Sequence, residues 1–200
     1  MKYPKIREIK EALNALVTRA YTTPFPYKPH IPFISFRGKP YFDQDQCVGC
    51  TACVNVCPSG ALSFNDVKVD GSYKRILKIR WDICIECGQC QLNCLTERGI
   101  RLSNEFDISV TEGRKNLCQT IEKDLSLCEG CKEPVAPRDH IAFTIKKLGC
   151  LYVTNTSLIA FTQQNLGLRE DLPKAEEEMF RWDRFRILCP SCRREAVIIS

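Results

Sequence analysis

A chain of 200 residues, 44% hydrophobic and 26% charged, has the composition of a globular protein of one or two domains, which excludes a disordered or low-complexity chain. Fourteen cysteines, twelve of them in metal-ligand spacings, exclude a disulfide scaffold and point to metal ligation in a reducing compartment. The formal net charge of +5 treats all those thiols as neutral, so it is not by itself a nucleic-acid footprint.

Residues 1–20 read as an amphipathic helix. Ile6, Ile9, Leu13, Leu16 and Val17 recur at helical spacing, with charges opposite. Such a helix either folds back on its own chain or docks on a partner subunit or a membrane interface; its lack of a place in a small compact domain favours docking. The interleaved charges of Lys2, Lys5, Arg7, Glu8, Lys10 and Glu11 rule out a secretory leader, and no run of about 18 apolar residues exists to cross a membrane. The chain is therefore expected on the cytoplasmic side. Residues 21–40 carry prolines at 24, 26, 29, 32 and 40 among Tyr21, Phe25, Tyr27, Phe33 and Phe36, the pattern of an extended arm laid across a surface. Residues 1–40 thus form a helix and docking arm.

Residues 41–103 are built on an internal repeat. Cys47, Cys50, Cys53 and Cys57 follow the pattern Cys-x-x-Cys-x-x-Cys-x-x-x-Cys, and Cys84, Cys87, Cys90 and Cys94 repeat it after a shift of 37 residues. This is the spacing of a two-cluster iron–sulfur protein. Three cysteines wrap one four-iron cubane, and the fourth, carried away on a short helix, ligates the cluster of the other repeat. Cluster I is assigned to Cys47, Cys50, Cys53 and Cys94, and cluster II to Cys84, Cys87, Cys90 and Cys57. Between the motifs, Ala61 to Val69 and Ser72 to Trp81 are β-rich and flank Asp70-Gly71, a hairpin signal. With Tyr41-Phe42 before and Ile100-Arg101-Leu102 after, the order is β-α-β twice.

Residues 104–126 are mixed and polar and read as a connector with a short helix around Gly113 to Ile121. Residues 127–200 hold two further knuckles, Cys128-x-x-Cys131 and Cys189-Pro190-x-Cys192, which can close a tetrathiolate site. Zinc is the usual occupant of such a site, and a single redox iron fits the same donors. Pro137 opens and Gly149 closes a helix with Ile141, Ile145 and Leu148 on its apolar face, and a second helix is expected over residues 172–184. Cys118 and Cys150 stand alone and read as small buried hydrophobes. His140, near the knuckles, is a candidate substitute ligand. Two four-iron clusters and one tetrathiolate zinc, each about −2, bring the metallated chain to roughly −1, so the excess of Lys and Arg balances buried anionic centres and leaves nucleic-acid binding little support.

The flanks carry a family resemblance. Phe36-Arg37-Gly38-Lys39-Pro40 resembles the polyferredoxin subunits of complex I and its hydrogenase relatives. Ile100-Arg101-Leu102-Ser103-x-Glu105, Cys128-x-x-Cys131-x-x-Pro134-x-Ala136 and Cys189-Pro190-x-Cys192-x-Arg194 resemble the ferredoxin-like subunit of formate hydrogenlyase, with similarity from about residue 20 onward. Leu95 stands where the usual dicluster motif has proline, without loss of a ligand. The resemblance implies an α+β fold: a dicluster ferredoxin domain with an N-terminal helix and arm and a zinc-ribbon-like C-terminal domain.

It also implies an electron-transfer subunit of a membrane-bound [NiFe] hydrogenase or formate hydrogenlyase-like complex. Its partners would be the hydrogenase small and large subunits and an electron-donor module, a formate dehydrogenase or a ferredoxin. No phosphate-cradling loop, dinucleotide fingerprint or nucleophile with a nearby base is present, so no catalytic site is expected in the chain itself. The competing readings are the equivalent subunit of a complex I-type quinone-reducing dehydrogenase, a stand-alone ferredoxin and, from another class, a zinc-ribbon interaction or nucleic-acid module with structural clusters.

Overall fold

The computed structural model describes residues 5–19, 21–69, 71–168 and 185–198. The helix expected over 172–184 lies outside them. The chain divides into two compact units, residues 1–36 and 37–200.

In the first unit, helix α1 (Ile6–Val17) starts where the Glu8 carboxylate accepts the backbone N–H of Lys5 at 3.0 Å, satisfying one of the unpaired donors of a helix start. Ile6, Ile9, Leu13, Leu16 and Val17 are all exposed, as are Tyr21, Tyr27, Ile31, Phe33 and Ile34 of the arm. Among the described residues no helix is long and apolar enough to cross a membrane.

The second unit opens with strand β1 (Pro40–Phe42), which pairs antiparallel with β4 (Ile100–Leu102) and brings the two ends of the cysteine repeat together. Pro40 and Phe42 face inward and Tyr41 outward, as a period of two requires. The pairing continues beyond the strands: Gly38 N–H donates to Ser103 O at 2.9 Å and Lys39 N–H to Glu105 O at 3.0 Å. A Cβ on Gly38 would lie 2.9 Å from Ser103 O and closer still to Glu105 O, all of it backbone that cannot step aside. Gly38→Ala is expected to cost about 1–3 kcal/mol by overpacking, read as a lower thermal midpoint with the metal content unchanged.

Helix α2 (Ala52–Asn55) follows, then the hairpin of β2 (Leu62–Val69) and β3 (Ser72–Arg80), which turns between Val69 and Ser72 with Gly71 at φ +83°. Helix α3 (Gln89–Leu92) then leads towards β4. These elements match the expected β-α-β repeat.

The connector does not match. No helix spans 113–121; a single 3-10 turn (Arg114–Asn116) gives way to β5 (Cys118–Leu127), a ten-residue strand paired along β3 from Arg80↔Cys118 to Lys74↔Asp124. Strand β6 (Pro134–Pro137) pairs in turn with β5, so the four-stranded order is β2-β3-β5-β6. The cause is side-chain alternation: Ile121 and Leu125 are buried on one face of β5, and Ile121 sits opposite Leu77 of β3. Tertiary pairing overrides the polar look of the segment.

Helix α4 (Arg138–Leu148) runs from Pro137 to Gly149 as expected, and α5 (Thr156–Asn165) is capped by Asn155 Oδ1, which accepts Ser157 N–H at 3.1 Å. Helix α6 (Pro190–Ile198) has Pro190 at its first position, where the missing N–H costs nothing.

Among the described residues three apolar clusters hold the unit. Phe42, Leu62, Leu77, Ile79, Ile100 and Ile121 pack with Cys53 and Cys90. Leu188 and Ala196 pack with Cys128 and Cys192. Ala160, Phe161 and Ile187 pack against Ile141 and Ile145. Full burial of side chains such as Leu77 and Ile79 contributes about 1.5–3 kcal/mol each.

Candidate metal centres

The 37-residue repeat is also a repeat of backbone geometry. Gly49 and Glu86, Thr51 and Gly88, and Gly60 and Glu97 are three pairs at that shift, and all six residues have positive φ. In each pair one member is glycine and the other is not, so Thr51, Glu86 and Glu97 hold left-handed backbone that an L side chain disfavours. The shape of the loop, rather than the local residue, sets the conformation. Each loop curls so that its first three cysteines converge, and α2 or α3 then carries the chain to the fourth.

The cysteines surround two cavities. Cys47, Cys50, Cys53 and Cys94 line the first, with Phe42, Leu77 and Ile100 as apolar wall. Cys57, Cys84, Cys87 and Cys90 line the second, with Pro40, Leu62, Ile79 and Leu102. In both cases the fourth thiol comes from the other repeat. Gly99 is needed at the first cavity: a Cβ there would sit 2.9 Å from Thr96 Oγ1 and 3.0 Å from Cys47 Cα.

Polar contacts to sulfur follow the same symmetry. Cys57 Sγ lies 3.7 Å from Ser59 Oγ, and Cys94 Sγ lies 3.5 Å from Thr96 Oγ1, each hydroxyl two residues beyond its thiol. Burial works to raise both thiols, but these hydroxyls and the neighbouring backbone N–H groups outweigh it and leave both below their ordinary value. By contrast, burial pushes Cys53 up to about 12 and Cys90 to about 11. Thiols this deep ionise only when a metal competes for their sulfur, so loading each cavity releases protons. Eight thiols in two apolar cavities are a donor set suited to iron–sulfur clusters and to no hard cation.

The remaining knuckles also meet. The Sγ atoms of Cys128, Cys131, Cys189 and Cys192 all lie within 4.8 Å of one another. Four sulfurs held about 2.3 Å from one ion stand roughly 3.8 Å apart, and Cys131 Sγ and Cys189 Sγ are separated by 3.7 Å. Backbone N–H groups point at the sulfurs: Cys189 N–H to Cys128 Sγ at 3.3 Å and Cys192 N–H to Cys189 Sγ at 3.5 Å. Against the opposing effect of burial, the N–H groups of Cys189, Cys131 and Gly130 bring Cys128 down to about 7. Glu129 N–H donates to Ile187 O at 2.8 Å, pinning the two knuckles together, and Ser157 Oγ bridges Arg186 O and Leu188 N–H from the start of α5.

The lone cysteines fare differently. Cys118, half-buried, opens β5 rather than lying in the helix expected around Gly113 to Ile121. Cys150 is exposed, against expectation, because Gly149 at φ +56° ends α4 and turns the chain into a surface 3-10 turn. His140 is not among the converging ligands; burial, with Arg75 nearby, lowers its basicity.

Residues missed from sequence are Ser59 and Thr96, whose shared shift of 37 was a signal, and Arg75. Arg75 pairs with both carboxylate oxygens of Asp66 (2.7 and 2.8 Å) and donates to Gly49 O at 3.2 Å, fixing the first loop to the hairpin.

Comparison with known proteins agrees with this chemistry. Residues 46–98 match the 4Fe-4S dicluster domain. The chain is 33% identical over 138 residues to formate hydrogenlyase subunit 6 of Escherichia coli, covering 68% of this chain and 73% of that protein. It is 32% identical over 97 residues to NAD(P)H-quinone oxidoreductase subunit I of Gloeobacter violaceus, covering 44% of each. A chain of the archaeal membrane-bound sulfane sulfur reductase, a respiratory membrane complex, aligns with a TM-score of 0.40 at 23% identity over 58% of this chain and 62% of that one. With two cavities lined by repeated cysteines, a matching dicluster domain and a relative aligned over most of both lengths, the chain belongs to the family of formate hydrogenlyase subunit 6, iron–sulfur proteins that transfer electrons.

Proposed function

We propose that this chain relays electrons inside a membrane-associated complex of the [NiFe] hydrogenase or formate hydrogenlyase type. Cys47, Cys50, Cys53 and Cys94 hold cluster I, Cys84, Cys87, Cys90 and Cys57 hold cluster II, and Cys128, Cys131, Cys189 and Cys192 hold a structural zinc. A four-iron cluster supplies one-electron transfer, with the protein setting potential and route. The observation that supports the reading most directly is the sorting of eight cysteines into two cavities with their fourth members exchanged.

In this reading the chain's own residues do three things. The apolar walls exclude water from both cavities. The hydroxyls of Ser59 and Thr96 stabilise charge on the exchanged thiolates. The tetrathiolate ties β5 to α6, giving the C-terminal part a zinc-ribbon-like character. The proposed organisation is a docking arm (1–40), a dicluster domain (41–103), a connector (104–126) that acts as a strand, and a tetracysteine domain (127–200). The exposed apolar face of α1 and the aromatic arm suit attachment to a neighbouring subunit or the membrane interface, on the cytoplasmic face. The partners proposed are the hydrogenase small and large subunits and a formate dehydrogenase or ferredoxin as donor. The similarity to NAD(P)H-quinone oxidoreductase subunit I favours, as second reading, a quinone-reducing complex I-type dehydrogenase.

Metal analysis of the native complex, purified anaerobically through a tag on this chain, separates the two. Near-stoichiometric nickel with one zinc per chain is the expected result. Iron and zinc without nickel transfers the chain to the dehydrogenase reading, and a chain recovered alone with about eight irons makes it a free carrier.

A further inference from the structure

Lys123 is a lysine where a core residue belongs. It lies on the inward face of β5 between Ile121 and Leu125, and its side chain is only 9% exposed. A lone ammonium at that depth is costly, so its placement needs partners. It has them: Nζ donates to Gln44 O at 2.7 Å and to Asp139 Oδ2 at 2.9 Å. The partners also fix its path. A Cβ on Gly49 would lie 3.3–3.4 Å from the Lys123 methylenes, so the side chain runs along the first cysteine loop from Gly49 to Gln44, beside Cys47.

We propose that Lys123 is a positioning charge for cluster I: its buried ammonium favours the reduced form and makes cluster I the more readily reduced of the two. The proposal rests on the cluster assignment above. Reduction adds one electron and one negative charge to the cluster; Lys123 keeps its proton, and no bond forms or breaks. A buried cation acts on that added charge with little screening, whereas its counter-ion Asp139 has a side chain 55% exposed and is screened by water. The other cation at the first loop, Arg75, is neutralised by Asp66 within a bidentate pair. The second loop has no equivalent among the described residues. Arg37 donates to Cys87 O at 3.2 Å from an exposed position, and Glu86 lies within the loop itself.

The test is a redox titration with dithionite, followed by electron paramagnetic resonance, on the anaerobically reconstituted chain. Cys47→Ser marks which signal is cluster I. Lys123→Met is expected to weaken reduction of cluster I about tenfold, equal to about 59 mV for one electron, with cluster II unmoved and Lys123→Arg restoring the wild-type value. Asp139→Asn, which frees the ammonium from its counter-ion, is expected to shift the same cluster severalfold the other way. Unchanged potentials in Lys123→Met with both signals intact, or equal shifts of both clusters, overturn the proposal. If Lys123→Met loses a cluster, Asp139→Asn decides: an opposite shift of cluster I supports the inference and no shift overturns it. A wild-type chain without two four-iron signals overturns the cluster reading instead.

Discussion

Cys57→Ala is expected to abolish the cluster proposed for the second motif, although Cys57 belongs to the first. Its thiol lines the cavity of Cys84, Cys87 and Cys90, oriented by the turn after α2 and by Ser59. Among the described residues no other thiol lines that cavity, so three ligands are left for four irons. Iron is expected to fall from about eight to about four per chain, with one paramagnetic signal lost. The mirror variant Cys94→Ala takes the other signal. Because the lost cluster sits against Leu62 and Ile79, the variant also loosens the β2–β3 hairpin, seen as faster amide exchange there. Loss of cluster I in Cys57→Ala, with cluster II intact, would reverse the crossed assignment.

Cys128→Ser is the second large effect, and it separates zinc from iron. Structural zinc contributes about 10–16 kcal/mol of apparent binding free energy in small zinc peptides at neutral pH, and most of it is folding free energy. Here Cys128 is fully buried and packs with Leu188, Cys192 and Ala196, so its thiol sits at the junction of the two knuckles. The variant is expected to lose the metal proposed for the knuckles and to be cut by protease beyond Leu127, while both four-iron signals survive. Disappearance of a redox-active signal together with the metal would place iron in the knuckles.

The grouping of the cysteines was the most legible part of the sequence, because thiolate spacing follows from ligand geometry and needs no tertiary context. The hairpin and α4 were legible for a similar reason: Gly71, Pro137 and Gly149 act locally through φ. Strand β5 was not. Its alternation of Ile121 and Leu125 is broken by Lys123, which occupies the inward position between them and makes the segment look polar. A local rule fails there because the position serves a neighbouring loop rather than the core. Helices α5 and α6 lack a clear apolar stripe; their burial is confined to a few residues such as Ala160, Phe161 and Ala196. Pro190 does mark the start of α6, but in sequence the same residue also completes a metal knuckle, which masks the helix signal.

The shared strand has a practical consequence for anyone dividing this protein. A fragment ending at Ser103 would keep all eight cluster cysteines and look like a self-sufficient ferredoxin. It would also leave β3 without β5 along Lys74–Arg80, a row of unpaired amides and carbonyls beside the newly exposed side chains of Leu77 and Ile79. Such an edge recruits other chains. The minimal soluble unit therefore extends through β5, and gene fusions or truncations that respect the apparent ferredoxin boundary are the ones that would precipitate.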